Sequence, residues 1–426
     1  MNTFTVLRHR NFALLWLGEL VSQLGDLVLK VALPFYIFQL TGSLLQTGLA
    51  FIVETLPVIL FGSLAGVLAD RWNRRAIMIV VDVLRAGVLL LLLTVHSSGM
   101  IWLVYVVACV QSFLTLFFDP AYEALLPSLV PDEEQLTSAN ALSAFGTSIT
   151  SLMGPLIGGA LFAAFHIAGV VLLDTSSFVF SALMVLLIVA PQKQAEEADE
   201  GEEEPVGFSW LHVWGQWLDG LRLVKNNRVV YSIISAFGIL LLAQGILNVV
   251  LVGFVERVLH GSSAIYGLLV TMQGIGTLVG SLVTGYAYKK IKPAYLFALT
   301  LSGAGILLLI WVSFPSLVLG LCILPIIGLL IVVFSVAATT MLQTSVEDEY
   351  RGRIFGAFGT TNAITMLIGL VLTSLFGDEL GVTLCLGIAA ILIMLNGPIV
   401  LFLMGKEKAK FVQNQTDVFA SEETTQ

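Results

Sequence analysis

The chain alternates between long apolar runs and short segments in which Gly, Pro and charged residues are concentrated. Each run is about 20 residues long, which is the length that an α-helix needs to cross a bilayer. The runs lack the period-two alternation of apolar and polar residues that is typical of membrane β-barrel strands. Divided at charged residues, Gly and Pro, the sequence contains twelve such runs, of which the fifth covers residues 139–165 and the sixth residues 168–190. The pattern therefore predicts an all-α membrane protein with twelve transmembrane helices.

Polar loop residues repeat between the two halves of the chain. Leu126 and the segment 130–133 (Val-Pro-Asp-Glu) recur as Leu342 and the segment 346–349 (Val-Glu-Asp-Glu), a shift of 216 residues. Internal repeats of transmembrane spans are a known transporter architecture, in which the substrate site lies at the interface between the repeats. We therefore predict two six-helix bundles, and chance similarity between apolar sequences is the alternative.

The predicted domains follow from this repeat and from a run of acidic residues between the halves. Seven carboxylates lie between Glu196 and Glu204, which is typical of a solvated linker. Trp residues then follow at helical spacing, as in a helix that lies in the membrane interface or packs on the inner helix ends. The predicted domains are 1–190, the N-terminal six-helix bundle; 191–228, the cytoplasmic acidic linker and amphipathic helix; 229–405, the C-terminal six-helix bundle; and 406–426, the cytoplasmic tail.

Composition excludes the soluble classes of protein. Hydrophobic residues make up 57% of the chain and charged residues 12%, against roughly 45–50% and about 25% in soluble domains. This excludes a soluble enzyme, a nucleic-acid-binding protein and a disordered chain. The H-E-x-x-H motif and the phosphate-binding loop are both missing from the sequence, so we predict no enzyme activity, no metal site and no cofactor besides a proton gradient.

Lys and Arg concentrate in alternate loops, which places both termini in the cytoplasm.

Charged residues inside the first two spans predict a coupling site. An ionisable side chain at mid-bilayer costs about 2.5–3.5 kcal/mol, so each one is expected to have a function. Helix geometry brings Asp26, Lys30 and Glu54 to a similar depth. Either Asp26 or Glu54 takes up and releases a proton during transport, or Lys30 permanently neutralises one carboxylate as a structural pair. In the third span, Asp82 and Arg85 are three residues apart, and we expect them to pair.

The loop between the second and third spans reads Gly-Val-Leu-Ala-Asp-Arg-Trp-Asn-Arg-Arg over residues 66–75. It resembles G-x-L-A-D-R-x-G-R-R, the loop motif of the major facilitator superfamily, with Asn73 in place of the last Gly. Asn tolerates a left-handed backbone better than most residues. The resemblance implies a conformational latch at the inner surface, in which Asp70 and Arg74 join Asp119; alternatively, the arginines only fix topology. The latch residues are Gly66, Asp70, Arg71, Arg74, Arg75 and Asp119.

The fifth span contains a series of small residues that ends in Gly-Pro-x-x-Gly-Gly. It is similar to the antiporter motif of this superfamily, and its residues are Gly146, Gly154, Pro155, Gly158 and Gly159. Glycines let helices approach closely, and Pro bends the span, which fits an interface that moves; ordinary tight packing is the alternative. We expect Leu at Gly158 to block transport and Ala at Gly159 to be milder.

The segments 119–141 and 342–353 resemble the drug/proton antiporter branch that contains macrolide efflux proteins and siderophore exporters. The resemblance implies the major facilitator fold and a secondary active transporter that works by alternating access. Its expected function is the export of hydrophobic or amphiphilic small molecules, of the drug, macrolide or siderophore class, by proton antiport. Many members have Arg in the fourth span where this chain has Gln111, so the coupling role of that Arg does not transfer. A lipid, lysophospholipid or uncoupled solute carrier of the same fold is the alternative.

Amide side chains in the second half are the candidates for solute binding. These residues are Gln244, Asn248, Gln273 and Asn362. The expected partners are a small-molecule solute, protons and the lipid bilayer, with no nucleic acid, and we expect a monomer. The resemblance implies a multi-pass protein of the inner or plasma membrane of a bacterial cell.

Overall fold

The computed structural model describes residues 3–69, 72–189, 227–346 and 348–404. Within these ranges every long element is an α-helix, and no β-strand is present. The helices are α1 (Arg10–Thr41), α2 (Leu44–Ala69), α3 (Arg74–Leu89), α4 (Ile101–Leu125), α5 (Glu133–Leu186), α6 (Arg228–Arg257), α7 (Ser263–Lys290), α8 (Pro293–Ser313), α9 (Leu317–Thr344), α10 (Asp348–Leu380) and α11 (Val382–Met404). The predicted acidic linker, the Trp-containing helix and the C-terminal tail lie outside the described residues.

Eleven helices in these ranges are long and apolar enough to cross a membrane. The α5 helix has 54 residues, which corresponds to about 80 Å and exceeds twice the hydrocarbon thickness of about 30 Å. It is interrupted at His166, whose φ of 53° and ψ of −160° are not helical. This break lies between the predicted fifth and sixth spans, 139–165 and 168–190. The α5 helix therefore contains two spans, and the predicted number of twelve is confirmed.

The ends of the helices contain local signals that stop or start them. The α1 helix ends at Gly42, which has a φ of 64° and donates its N–H to the Phe38 carbonyl at 2.7 Å. Asn73 begins α3 in an extended conformation, and its side chain accepts a hydrogen bond from the Ala76 N–H at 3.1 Å. The expected left-handed backbone at Asn73 is therefore wrong. Asn replaces Gly here as an N-cap, a role that amide side chains perform well.

The described residues form two compact units. The first comprises the described parts of Met1–Gly207 together with Ile246–Ile275 and Leu370–Cys385. In this unit α1 packs along α5, α2 packs on α4, and α3 packs on both α4 and α5. An apolar core between these helices includes Phe12, Met78 and Phe118.

The second unit comprises the described parts of Phe208–Gly245, Gly276–Gly369 and Leu386–Gln426. Its α8 and α9 helices pack side by side. The Phe334 ring stacks between Phe237 and Phe297, with ring centres 5.0 and 5.4 Å apart. Residues 246–275 and 370–385 of the second half thus cluster with the first half, while the division of the sequence at residues 190 and 229 stays a prediction.

Candidate functional site

Arg85 on α3 forms a buried ion pair with Asp26 on α1. Its Nη2 atom donates to the two carboxylate oxygens of Asp26 at 2.6 and 2.8 Å. Only 4% of the Arg85 side chain is exposed, whereas Asp26 is 26% exposed. Hydrogen bonds between two ionised groups are roughly twice as strong as neutral ones. This pair therefore ties α1 to α3, and Asp26 is its more exposed partner.

Gln111 and Phe178 hold the Arg85 side chain in place. Arg85 Nε donates to Gln111 Oε1 at 3.2 Å, and Gln111 Nε2 donates to the Arg85 carbonyl at 2.9 Å. The guanidinium carbon lies 4.1 Å from the centre of the Phe178 ring, which is a cation–π contact. Gln111 is the position at which the resemblance described above leads us to expect Arg. The Arg85 guanidinium on α3 thus lies against Gln111 on α4.

The pairing of Asp82 with Arg85 expected from the sequence is wrong, because Arg85 pairs with Asp26. The alternative in which Lys30 neutralises one carboxylate does not hold for Asp26, whose partner is Arg85. Spacing of three or four residues on one helix permits an ion pair, but a guanidinium from a neighbouring helix reaches the Asp26 carboxylate here. Lys30 is exposed, Glu54 is half-buried, and these two side chains form no ion pair among the described residues. The proton-coupling roles of Asp26, Glu54 and Lys30 stay predictions.

Two further carboxylates are buried in the first half of the chain. Asp82 on α3 and Asp174 on α5 have no exposed side-chain surface. Within the described residues, both oxygens of Asp82 and Oδ2 of Asp174 lack a hydrogen-bond donor, and the Ser181 hydroxyl lies beside Asp82 outside hydrogen-bond geometry. The charges of Asp26 and Arg85 act on both carboxyl groups. Because an ionised carboxylate without hydrogen bonds is costly to bury, this group of three carboxyls and one guanidinium is able to hold protons.

The arginines of the 66–75 loop bind the ends of neighbouring helices. Arg74 donates to the Ala124 carbonyl at the end of α4 at 3.0 Å. Arg75 donates to the Val185 carbonyl at 3.0 Å and to the Leu186 carbonyl at the end of α5. Cations are favourable at helix C-termini, where carbonyl groups lack partners. These bonds anchor the start of α3 to α4 and α5.

The predicted contact between Arg74 and Asp119 is not formed among the described side chains. Asp119 precedes Ala124 by five residues, or about 7.5 Å along the helix axis, and it lines a cavity next to Glu19. Gly66 lies within α2, and both Asp70 and Arg71 lie outside the described residues. The latch stays a prediction for Asp70 and Arg71, and the expected ion pair of Arg74 with Asp119 is corrected to a bond with a backbone carbonyl.

Three glycines of the predicted antiporter motif pack against α1. A Cβ atom on Gly158 would lie 2.7 Å from the Val28 carbonyl oxygen, and one on Gly154 would lie 2.5 Å from Leu27 Cβ. A Cβ atom on Gly146 would lie 3.3 Å from the indole nitrogen of Trp16, also on α1. These glycines therefore bring two helices of the same half together.

Gly159 and Pro155 face the start of α7, whose residues up to Ile275 belong to the second half of the sequence but to the same compact unit as α5. A Cβ atom on Gly159 would lie within 3.0 Å of the Ser263 carbonyl oxygen and 3.1 Å from Gly267 Cα. Ser263 Oγ donates to the Gly159 carbonyl at 3.0 Å, and the Pro155 carbonyl lies against Gly267. The expectation that Ala at Gly159 is mild has no support from this geometry, because backbone atoms fill the space.

The predicted solute-binding amides are divided between the two compact units. Asn248 and Gln273 belong to the first unit, and Gln244 and Asn362 to the second. Gln244, Asn248 and Gln273 each interact with other residues. Within the described residues the side-chain oxygen of Asn362 is buried without a hydrogen-bond donor. Their role in solute binding stays a prediction.

The sequence analysis assigned no role to two charged residues that contact the junction between α1 and α2. Asp378 on α10 accepts hydrogen bonds from Ser43 Oγ at 2.6 Å and from the N–H groups of Leu44 and Leu45 at 2.9 and 3.2 Å. It therefore caps the N-terminus of α2 from another helix, where a negative charge is favourable. The signal that would have found it is an Asp near the end of a span whose adjacent loop lacks Lys and Arg.

Arg257 at the end of α6 completes this arrangement. It donates to the Gly42 carbonyl at the end of α1, and its guanidinium carbon lies 4.8 Å from the centre of the Phe38 ring. Asp378 and Arg257 thus place charges of opposite sign at a helix start and a helix end. Both belong to the second half of the sequence and both contact the first half within one compact unit.

The comparisons with known proteins agree with this architecture. The sequence matches the transmembrane secretion effector family, MFS_3, over residues 1–422. Macrolide efflux protein A of Streptococcus pyogenes is 26% identical over 398 residues, covering 90% of this chain and 96% of that protein. The enterobactin exporter EntS of Escherichia coli O1:K1 is 25% identical over 428 residues, covering 99% and 98%.

A solved structure of a bacterial homologue of the iron transporter ferroportin has the same fold. It has a TM-score of 0.73 and 17% identity, and the match covers 92% of this chain and 98% of that one. At this identity the likeness concerns the fold alone, and it confirms the predicted major facilitator fold of twelve transmembrane helices. The chain belongs to the transmembrane secretion effector family of the major facilitator superfamily.

Proposed function

We propose that this transporter exports hydrophobic or amphiphilic small molecules, of the drug, macrolide or siderophore class, by proton antiport. The relatives named as a macrolide efflux protein and an enterobactin exporter support export as the direction of transport. The observation that carries the coupling is one buried guanidinium, Arg85, among the carboxyl groups of Asp26, Asp82 and Asp174.

The proposed coupling uses the imbalance of charge in this group. Asp26 is the most exposed member of this group, so we assign to it the exchange of protons with water. A proton on Asp26 weakens its pair with Arg85, and the guanidinium then turns toward Asp82 or Asp174. Because the guanidinium balances one carboxylate at a time, each protonation state favours a different position of α3 against α1 and α5. A proton is thereby linked to conformation, since it shifts the equilibrium by its differential affinity for the two states.

Contacts at two helix ends and between two glycines support alternating access. In the state described, Asp378 caps α2 and Arg257 caps the end of α1. The α5 and α7 backbones meet at Gly159 and Gly267. These contacts join parts of the two sequence halves, so they break when the halves separate at this end. We further propose that the protein acts as a monomer in a bacterial inner membrane with both termini in the cytoplasm.

Transport by purified protein in sealed liposomes with an imposed pH gradient tests this function. Solutes from three groups, lipophilic cations, macrolides and siderophores, are added while internal pH is recorded. We expect at least one solute to move protons in the opposite direction, and Asp26→Asn to abolish this movement while solute binding persists. Glu134→Gln, which removes an exposed carboxylate, is the matched control and should behave as the parent protein.

Two results would contradict proton antiport. Solute movement that is unchanged without a gradient and in Asp26→Asn would indicate an uncoupled carrier. Movement of a fluorescent lysophospholipid, with no movement of the three solute groups, would indicate a lipid carrier of the same fold.

A further inference from the structure

Three lysines lie close together at the turn that joins α7 to α8. They are Lys289, Lys290 and Lys292, all of them exposed, and we call them the basic turn. Lys289 and Lys290 are the last two residues of α7, and Lys292 is the residue before α8. Within the part of the chain that the structure describes, their ammonium groups form no ion pair. The basic turn therefore presents three positive charges to its surroundings.

The equivalent position in the first half uses its cation to join helices. The shift of 216 residues between the two halves relates Lys290 to Arg74. Arg74 donates to the Ala124 carbonyl at 3.0 Å, whereas the Lys290 ammonium nitrogen lies 4.5 Å from the centre of the Tyr286 ring. Tyr286 is on the same helix, one turn before Lys290. Lys290 thus stays at the surface of its own helix, while Arg74 holds a neighbouring one.

The charge of the basic turn is not balanced by the helices that surround it in the sequence. Between Arg257 and Glu347 the chain contains neither Asp nor Glu. The helices α7, α8 and α9 all lie within this range, and α8 packs beside α9. An anionic partner is therefore complementary in charge to this end of the helices.

An exposed stripe of α7 leads from the apolar part of the helix to the basic turn. Leu282, Tyr286 and Lys290 follow one another at intervals of four residues, so they lie on one face of the helix. Leu282 is 85% exposed and Tyr286 is 63% exposed. The stripe is about 12 Å long, which is sufficient to extend from the hydrocarbon core through a headgroup region of about 5–8 Å. It therefore offers contacts to both parts of a lipid molecule.

The α8 helix presents the same three residue types in the reverse order. Lys292 precedes the helix, and Tyr295 and Leu299 follow at intervals of three and four residues, both exposed. Tyr is favoured at the interface between membrane and water. Two series of Leu, Tyr and Lys thus meet at one turn, with the lysines at the end of both helices.

We propose that the basic turn binds the phosphate group of an anionic phospholipid, with an acyl chain along the stripe of Leu282 and Tyr286. Lysines next to a membrane-spanning helix are attracted to anionic lipid headgroups. A zwitterionic lipid fits less well, because its own ammonium group is repelled by the lysines. A soluble anion leaves the exposed apolar stripe without a contact. This surface is separate from the Asp26–Arg85 pair, and its lipid preference is measurable without transport.

Lipid titration of the purified full-length protein in detergent, followed by native mass spectrometry, tests the proposal. The probes are dioleoyl phosphatidylglycerol, which is anionic, and dioleoyl phosphatidylcholine, which is zwitterionic and has the same acyl chains. We expect the first phosphatidylglycerol to bind at least tenfold more tightly than the first phosphatidylcholine. Replacing all three lysines of the basic turn with Gln should reduce this ratio to less than threefold, and replacing them with Arg should keep it.

A second triple variant controls for net charge. Replacing Lys406, Lys408 and Lys410 with Gln removes the same number of charges outside the described residues and should keep the tenfold ratio. The proposal is overturned if the parent protein has no preference for phosphatidylglycerol, or if both triple Gln variants lower the ratio equally. A thermal unfolding scan identifies any variant that does not fold. Lys290→Gln alone changes one exposed side chain and should lower the ratio at least twofold.

A headgroup without acyl chains separates a lipid surface from a site for a soluble anion. Glycerophosphoglycerol in hundredfold excess should displace less than a tenth of the bound phosphatidylglycerol, and displacement of most of it would overturn the lipid assignment. Leu282→Ser leaves the lysines in place and should weaken phosphatidylglycerol binding at least threefold, because the acyl chain loses an apolar contact. An unchanged affinity in this variant would contradict the assigned position of the acyl chain.

Discussion

Ala at Gly159 tests whether the contact between α5 and α7 opens during transport. The added Cβ atom would lie within 3.0 Å of the Ser263 carbonyl oxygen and 3.1 Å from Gly267 Cα. Both neighbours are backbone atoms, so neither can turn away as a side chain would. The substitution therefore forces the two helices apart wherever they meet in this way, although the Gly158 contact with α1 is left unchanged.

The expected size of the effect follows from the packing. Extra methyl groups in a tightly packed contact cost typically 1–3 kcal/mol, and replacing Gly by Ala in a helix returns about 1 kcal/mol in every conformation. The helix-propensity gain cancels between two folded states, because both keep α5 helical. The packing cost acts only on the state in which α5 meets α7. At 1.4 kcal/mol for each factor of ten, the ratio of the two states should change about fivefold to 150-fold.

Distances between two spin labels measure this ratio. The labels are attached at Ser98→Cys and Ser262→Cys, both exposed positions of the first compact unit, in a chain whose three native cysteines are replaced. In Gly159→Ala, the population at the distance of the present structure should fall and a longer distance should appear. Transport should slow because one state of the cycle becomes poorly populated, while solute binding to the other state persists.

Gly274→Ala is the matched control on the same pair of helices. Its Cβ atom would meet only Leu152 Cδ1, at 3.7 Å, which is an ordinary contact. This variant should keep the distances and the transport rate of the parent protein. The reasoning is refuted if Gly159→Ala leaves the distance distribution unchanged, or if Gly274→Ala shifts it as much.

Four further single variants and one double variant test other parts of the mechanism. Asp82→Asn should fold as stably as the parent, since it removes a buried charge without hydrogen bonds, but should lose coupling to the pH gradient in the liposome assay. Asp378→Asn should weaken the cap of α2, which contributes about 0.5–2 kcal/mol. The distance between the labels at positions 98 and 262 should then lengthen. An unchanged distance would show that the cap does not hold the described state closed. Asp70→Asn should slow transport but keep solute affinity. Arg85→Gln should abolish coupling, and adding Gln111→Arg should restore part of it.

The fold was largely predictable, because hydropathy reports directly on spans that have to be apolar along their whole length. Even the interruption of α5 at His166 coincides with the predicted gap between 165 and 168. The helix contacts were less predictable. A span that is apolar on most sides does not reveal which face meets which neighbour. The expectation for Gly158 and Gly159 named two residues at close helix contacts, but it did not separate the face toward α1 from the face toward α7.

The charge pairs were predicted wrongly for a related reason. Spacing along one helix indicates which side chains are able to meet. It predicted a pair of Asp82 with Arg85 and left a pair of Lys30 with one carboxylate as an alternative. The actual partner of Asp26 comes from another helix, and its identity depends on how α1 and α3 are rotated against each other. The capping of α2 by Asp378 was invisible for the same reason, because its donors lie more than 330 residues away in the sequence.

The Arg85–Gln111 contact changes how the missing Arg of the fourth span is interpreted. From the sequence, Gln111 argued against proton coupling because the residue type expected at that position is absent. The electrostatic effect of a guanidinium depends on its distance from the carboxylates and on their burial, and not on which helix bears it. Arg85 reaches the Gln111 amide from α3 while it binds Asp26. Arg85 on α3 therefore supplies a cation among the buried acids in place of an Arg at position 111. The presence of Gln at position 111 is for this reason no argument against antiport.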